Sequence, residues 1–436
     1  MLRLAPLICS VALAAASSAG GGQSTPAAPA TPMNAIAERY VKLVLAMGRH
    51  DADYVDAYYG PPEWKSDAAA SKSTIDQIRT QAGALLDELK AVRPGAAELD
   101  QLRHQYLERQ LSALVARVRM LSGERLSFDE ESRALYDAVA PRHPDSHFQA
   151  ILDQLEKRFP GTGPLVTRYD EFRRAFVISP DKLDAVFKTA VQACRERTAR
   201  HIALPPGESF VIEYVTNKSW SGYNWYQGGY RSLIQVNTDL PIFIDRAIDL
   251  ACHEGYPGHH VYNALLEKHL VKDRGWPEFS VYALFSPQSL IAEGTANFGI
   301  EVAFPGKERV AYEKSALFPA AGLDAAKADE YYEVQALVEQ LSYAGNEAAR
   351  RYLNGDIDRE AAVAWLERYA LMPRDRAAQR VRFMDQYRSY VINYNLGQDM
   401  VRRYIDAKGG TADRPDVRWR VFEELLSSPR LPSTLR

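Results

Sequence analysis

Apolar residues recur three and four positions apart over nearly the whole of this 436-residue chain, and that period leaves few folds open. Ile36, Tyr40, Leu43, Val44 and Met47 follow it, as do Leu111, Leu114, Val115 and Val118. From residue 33 to about 203, helix follows helix, with breaks at Gly60-Pro61-Pro62, Arg93-Pro94-Gly95, Pro160-Gly161 and Ser179-Pro180. Helices resume at Ile242 and are broken again at Pro257, Pro305, Gly355 and Pro373. The texture changes once, after Pro205-Pro206-Gly207. Residues 210–215 and 232–236 are short, β-branched and read as strands, joined by a Gly- and aromatic-rich loop at 220–230. The expectation is a mainly α fold with one small antiparallel β element.

Composition narrows the partners. With 53 Lys and Arg against 56 Asp and Glu, the formal net charge of −3 speaks against nucleic acid. A chain that is 46% hydrophobic can build a large core without metal or disulfide. Residues 1–19 read as a secretory signal: Arg3, an apolar run over 4–16 too short to span a bilayer, then Ser17-Ser18-Ala19 for cleavage. Cys9 is not read as a lipid-attachment site, because Pro6 stands where such a motif wants Leu. Residues 20–32 form a flexible linker, and 33–436 one helical domain with an N-terminal half (33–204) and a catalytic half (205–436). No later segment is apolar for long enough to cross a membrane, so an exported, periplasmic or secreted protein is expected. Cys194 and Cys252 read as buried free thiols, although a disulfide is allowed after export.

Three of the nine histidines fall in His253-Glu254-Gly255-Tyr256-Pro257-Gly258-His259-His260. Zinc peptidases commonly carry His-Glu-x-x-His, whose i, i+4 spacing sets two imidazoles about 6 Å apart on one helix face. The Glu then lies beside the metal-bound water. Here position i+4 is Pro257. On a straight helix His260 would lie about 10.5 Å beyond His253, and His259 would be turned about 120° away. Pro257 forbids a straight helix, since it has no N–H for the carbonyl of residue 253 and its ring crowds that carbonyl. A turn at Tyr256-Pro257-Gly258 would fold either His259 or His260 back beside His253, with Gly258 free to take a conformation closed to other residues.

A third ligand is expected from Glu293, which with Asn297 and Glu301 forms a polar stripe at i, i+4 and i+8 on an apolar helical stretch. A carboxylate on such a face is costly unless paired or metal-bound. Asn297 is placed to orient a ligand, and Gly294 and Gly299 suggest that another backbone comes close. Mixed His and Glu ligands suit one Zn2+ ion.

The octapeptide at 253–260 closely resembles the His-Glu-Ala-x-Pro-Gly-His-His signature of a large bacterial family known as a domain of unknown function. Its members are often exported and are regarded as zinc-metallopeptidase-like. The family's downstream Glu-Gly-Trp-Ala is matched by Glu293-Gly294-Thr295-Ala296, and its Pro-Gly-Gln-Ala is echoed by Leu396-Gly397-Gln398-Asp399. The resemblance implies a mostly α-helical body, with a small sheet edging a deep cleft.

For the oxyanion that develops on an attacked carbonyl, Tyr390 and Tyr394 are candidate donors; Gln398 and Arg402, which recur with them once per helical turn, are candidates to bind substrate. Tyr223, Trp225 and Tyr230 are candidates to line a substrate pocket, and residues 232–236 to pair with an extended peptide; a hairpin buried against helices is the other reading of this segment. The functional expectation is an exported zinc-dependent hydrolase cleaving peptides, with Glu254 as general base. The alternatives are an amidase or esterase on a small substrate, and a non-catalytic binding protein.

Overall fold

In the computed structural model, which describes residues 32–435, Thr74 and Ser127 each start a helix by a reciprocal capping box, with Gln77 and Glu130 respectively. The signal segment 1–19 and the linker up to residue 31 lie outside the described residues; Pro32 already opens the first helix, Pro32–Met47. The predicted helical run follows, through Ile75–Ala91, Glu98–Leu121 and Pro180–Ala199, and the fold is mainly α. One buried core draws on both halves of the chain, from Ile36 and Leu111 to Phe298 and Phe422. Among the described residues no helix is long and apolar enough to cross a membrane. Cys194 and Cys252 are buried free thiols.

Among the described residues, five short strands interrupt the helices. The N-terminal half contains one that the helical period hid: β1 (Val55–Tyr58) pairs antiparallel with β5 (Val281–Ala283) and so ties the first half to the second. The other three form a sheet in the order β2 (Ser209–Val215), β4 (Arg231–Asn237), β3 (Gly222–Gly228). β3 is antiparallel to β4, whereas β2 runs parallel to it. The aromatic segment read as a loop is thus mostly strand β3, joined to β4 by a hairpin whose Gly228, Gly229 and Tyr230 all have positive φ. β4 is flanked on both sides, so residues 232–236 have no free edge on which to pair an extended peptide.

Candidate metal centre

The helix Asp245–Leu250 widens into a π-helical turn over Ala251–Gly255 and stops, and a new helix begins at His259 (His259–Leu266). Pro257 forces the stop, and the backbone rejoins through Tyr256 N–H donating to the Ala251 carbonyl and Gly258 N–H to that of Cys252. Gly258 is required for space rather than for φ, which is negative. A Cβ there would lie 1.9 Å from the His253 carbonyl oxygen.

This turn brings His259, not His260, back to His253. Their Nε2 atoms are 3.1 Å apart. Adjacent residues of the restarted helix point about 100° apart, so only one of the two histidines can face the first. His260 is fully buried on the other side, with Nδ1 2.9 Å from Ser232 Oγ and Nε2 3.0 Å from Glu208 Oε2. Glu208 also accepts from the Tyr256 hydroxyl and from Arg195, and these partners outweigh burial to hold its carboxyl below the ordinary value. His260 is therefore a brace between turn and sheet, and the expectation of it as an alternative ligand is corrected.

Glu293 reaches the same point from the helix Pro287–Ala303, which is almost wholly buried. Its Oε2 lies 3.2 Å from His253 Nε2 and 3.6 Å from His259 Nε2. The three donor atoms thus form a triangle with edges of 3.1, 3.2 and 3.6 Å, and a tetrahedral ion with bonds of about 2.05 Å would need edges of about 3.3 Å. Glu293 Oε1 accepts from the Tyr390 hydroxyl at 2.7 Å, whereas the buried Oε2 has no hydrogen-bond partner.

The protonation pattern explains that orphan. Asn297 Nδ2 donates to the Tyr394 carbonyl at 3.1 Å, which orients the amide so that its Oδ1 accepts from His253 Nδ1 at 2.9 Å. His253 Nε2 then carries a lone pair aimed at His259 and Glu293. A proton on His259 Nε2 serves one of those two acceptors, but a cation among the three serves all of them. The residues fit a divalent ion. Burial opposes charge on Glu293, but His259 and His253 outweigh it and hold the carboxyl well below its ordinary range.

Glu254 sits beside this triangle. Its backbone carbonyl accepts from Asn224 Nδ2 of β3 at 2.7 Å, and Gly222 leaves room for its carboxylate: a Cβ there would stand 2.8 Å from Oε1. Burial pushes the Glu254 carboxyl up to about 7; His259 offsets part of this, and Glu293 and Asp56 add to it. Asp56, on β1, was not legible as a site residue. It accepts from the Tyr223 hydroxyl, and burial brings it up to about 6, with the fields of His259 and Glu293 acting on it.

The stripe Glu293, Asn297, Glu301 meets the predicted stripe Tyr390, Tyr394, Gln398, Arg402 face to face. Tyr390 closes a 3-10 turn (Arg388–Val391), and the rest lie on the helix Ile392–Ala407. The two helices cross at glycines, where a Cβ on Gly294 would lie 2.5 Å from the Gly397 backbone, and Gly299 packs on Pro257. Gln398 donates to Glu301 Oε1 at 2.7 Å, and Arg402 also pairs with Glu301. The structure thus brings Gln398 and Arg402 to Glu301 rather than to His253, His259 or Glu293. Tyr394 keeps its hydroxyl unbonded among the described residues, with its carbonyl on Asn297.

The aromatic residues of 220–230 divide. Tyr223 reaches the site through Asp56. Trp225, 39% exposed, packs its ring at a tilt against Tyr223 with centroids 4.5 Å apart and donates its indole N–H to Gln235, and among the described residues no contact joins it to His253, His259 or Glu293. Tyr230 is a turn residue, with its backbone N–H on Glu267 and Lys272 over its ring, and the structure does not bring it to His253, His259 or Glu293. The site itself opens narrowly: the His253 and His259 side chains are 13% and 12% exposed.

No family model matches the chain. No curated protein matches it either. Among solved structures, it is similar to a provisionally described lipoprotein from Colwellia psychrerythraea, at 14% identity and a TM-score of 0.48, over 86% of this chain and 71% of that one. A second, a provisionally described lipoprotein of unknown function from Shewanella oneidensis, has 13% identity and a TM-score of 0.41, over 84% and 75% of the two chains. Neither likeness is near enough to bear on what this chain does.

Proposed function

We propose that the chain is an exported zinc-dependent hydrolase, most simply a peptidase of the kind its octapeptide resembles. One observation carries the reading: two histidine nitrogens and an orphaned, buried carboxylate oxygen converge at ligand spacing, with the free carboxylate of Glu254 beside them. His253, His259 and Glu293 would hold a zinc ion, which would supply Lewis acidity toward a substrate carbonyl and lower the pKa of the attacking water toward neutrality.

The chain's own groups do the rest. Glu254 takes a proton from the attacking water and passes it to the leaving nitrogen, and its burial keeps it basic enough for the first task. Tyr394, whose hydroxyl burial holds in its protonated form, donates to the carbonyl oxygen as negative charge develops there. Tyr390 has the other task of fixing Glu293. Asn297 holds the His253 tautomer that leaves Nε2 free.

A carboxylate beside the first histidine favours catalysis over simple binding, since a binding site has no use for it. Export rests on residues 1–19. The test is purified protein lacking those residues, assayed for bound metal and for cleavage of a peptide, amide and ester panel with and without chelator. Cleavage of peptides that stops on chelation and returns with zinc supports the reading; cleavage by metal-free protein overturns it.

A further inference from the structure

Beside the candidate centre, the helix Arg374–Tyr387 presents Arg376, Arg380, Phe383 and Tyr387 along one face. The Arg380 guanidinium stands 4.8 Å over the Phe383 ring and 5.6 Å over the ring of Tyr394. Tyr394 in turn accepts from Asn297, which orients His253. Arg380 is thus two contacts from a metal ligand.

Among the described residues Arg380 has neither a carboxylate partner nor a hydrogen bond, so its five donors are unused. Glu293 is the carboxylate whose field reaches it, yet no ion pair forms and Glu293 Oε1 is already held by Tyr390. Further positive charge gathers behind it. Arg376 feels Arg246, Arg173 and Arg380, with Asp245 opposing them, and among the described residues Arg246 is the one of these three arginines that pairs with a carboxylate, Asp249 at 3.1 Å. A half-buried guanidinium without a counterion is costly, and one packed against two aromatic rings keeps its planar fork available for a two-pronged grip on a planar anion.

We propose that Arg380 binds a carboxylate of the substrate, with the arginines behind it adding attraction at longer range. The inference rests on the hydrolase reading for its meaning in turnover, but carboxylate binding can be tested apart from cleavage. The carboxylate is a free C-terminus or an acidic side chain, and the arms of one experiment separate the two.

Calorimetric titration of the Glu254→Gln protein, equilibrated with zinc, uses three N-acetylated pentapeptides: one with a free C-terminus, one amidated, and one amidated with a single Asp. At least one of the two anionic peptides is expected to bind tenfold or more tightly than the neutral amide, and which one identifies the source. Adding Arg380→Gln removes that preference, and Arg380→Lys restores part of it. Equal binding of all three, no binding by any, or a preference that survives Arg380→Gln overturns the proposal. Wild-type turnover of the same peptides reports separately on hydrolysis: binding with the predicted preference but without cleavage refutes the peptidase reading and leaves the carboxylate site standing.

Discussion

Asn297 Oδ1 lies 2.9 Å from His253 Nδ1, and the Tyr394 carbonyl, which accepts from the same amide, leaves that oxygen no other orientation. The contact selects the tautomer that leaves Nε2 free for the proposed metal. Asn297→Ala is therefore expected to weaken zinc binding by roughly 10–100-fold, without unfolding the protein. Competition with a chromophoric chelator measures this directly. Unchanged affinity would mean that the amide plays no part in holding the ligand.

The two neighbouring histidines should part company under mutation. His259→Ala removes a ligand, and stoichiometric zinc is lost while stability in chelator changes little. His260→Ala keeps the zinc but removes a fully buried ring from between Ser232 and Glu208, at a cost of about 2–3 kcal/mol. Metal analysis and urea denaturation of both variants make the comparison. The opposite pattern would reassign the second ligand.

Glu254 gives a stability signature that needs no metal. Its carboxyl, brought up to about 7 mainly by burial, has a higher pKa in the folded chain than in the unfolded one. A group of this kind contributes stability that is fully present below the ordinary carboxylate pKa and is lost as pH rises through about 7. Glu254→Gln does not titrate. In chelator, the variant should match wild type near pH 4.5 and exceed it by up to about 3 kcal/mol at pH 8. Denaturant midpoints across that range would show it, and a constant difference would contradict it.

Local spacing made part of this site legible. His253 and Glu254 adjoin a helix breaker, and Glu293 and Asn297 share a stripe that an apolar helix cannot leave unpaired. Other parts depend on what packing does at a distance. The choice of His259 over His260 turns on the residue at which the helix restarts after Gly258. Gln398 and Arg402 were legible as one face, but their partner Glu301 lies on the crossing helix. Asp56 arrives on a four-residue strand, paired with another of three residues more than 200 positions on, and nothing in either segment announces the other. Arg380 is one of many arginines in the sequence. What distinguishes it is its place against Tyr394, beside the candidate ligands and without a carboxylate of its own, and that is visible only once the chain has folded.

The most direct measurement is peptide turnover by zinc-loaded Glu254→Gln beside zinc-loaded wild type, with metal counted in both. One equivalent of zinc in each, with cleavage reduced by about 10²–10⁴-fold in the variant, is the predicted result. A variant that carries its zinc and cleaves at the wild-type rate would contradict it.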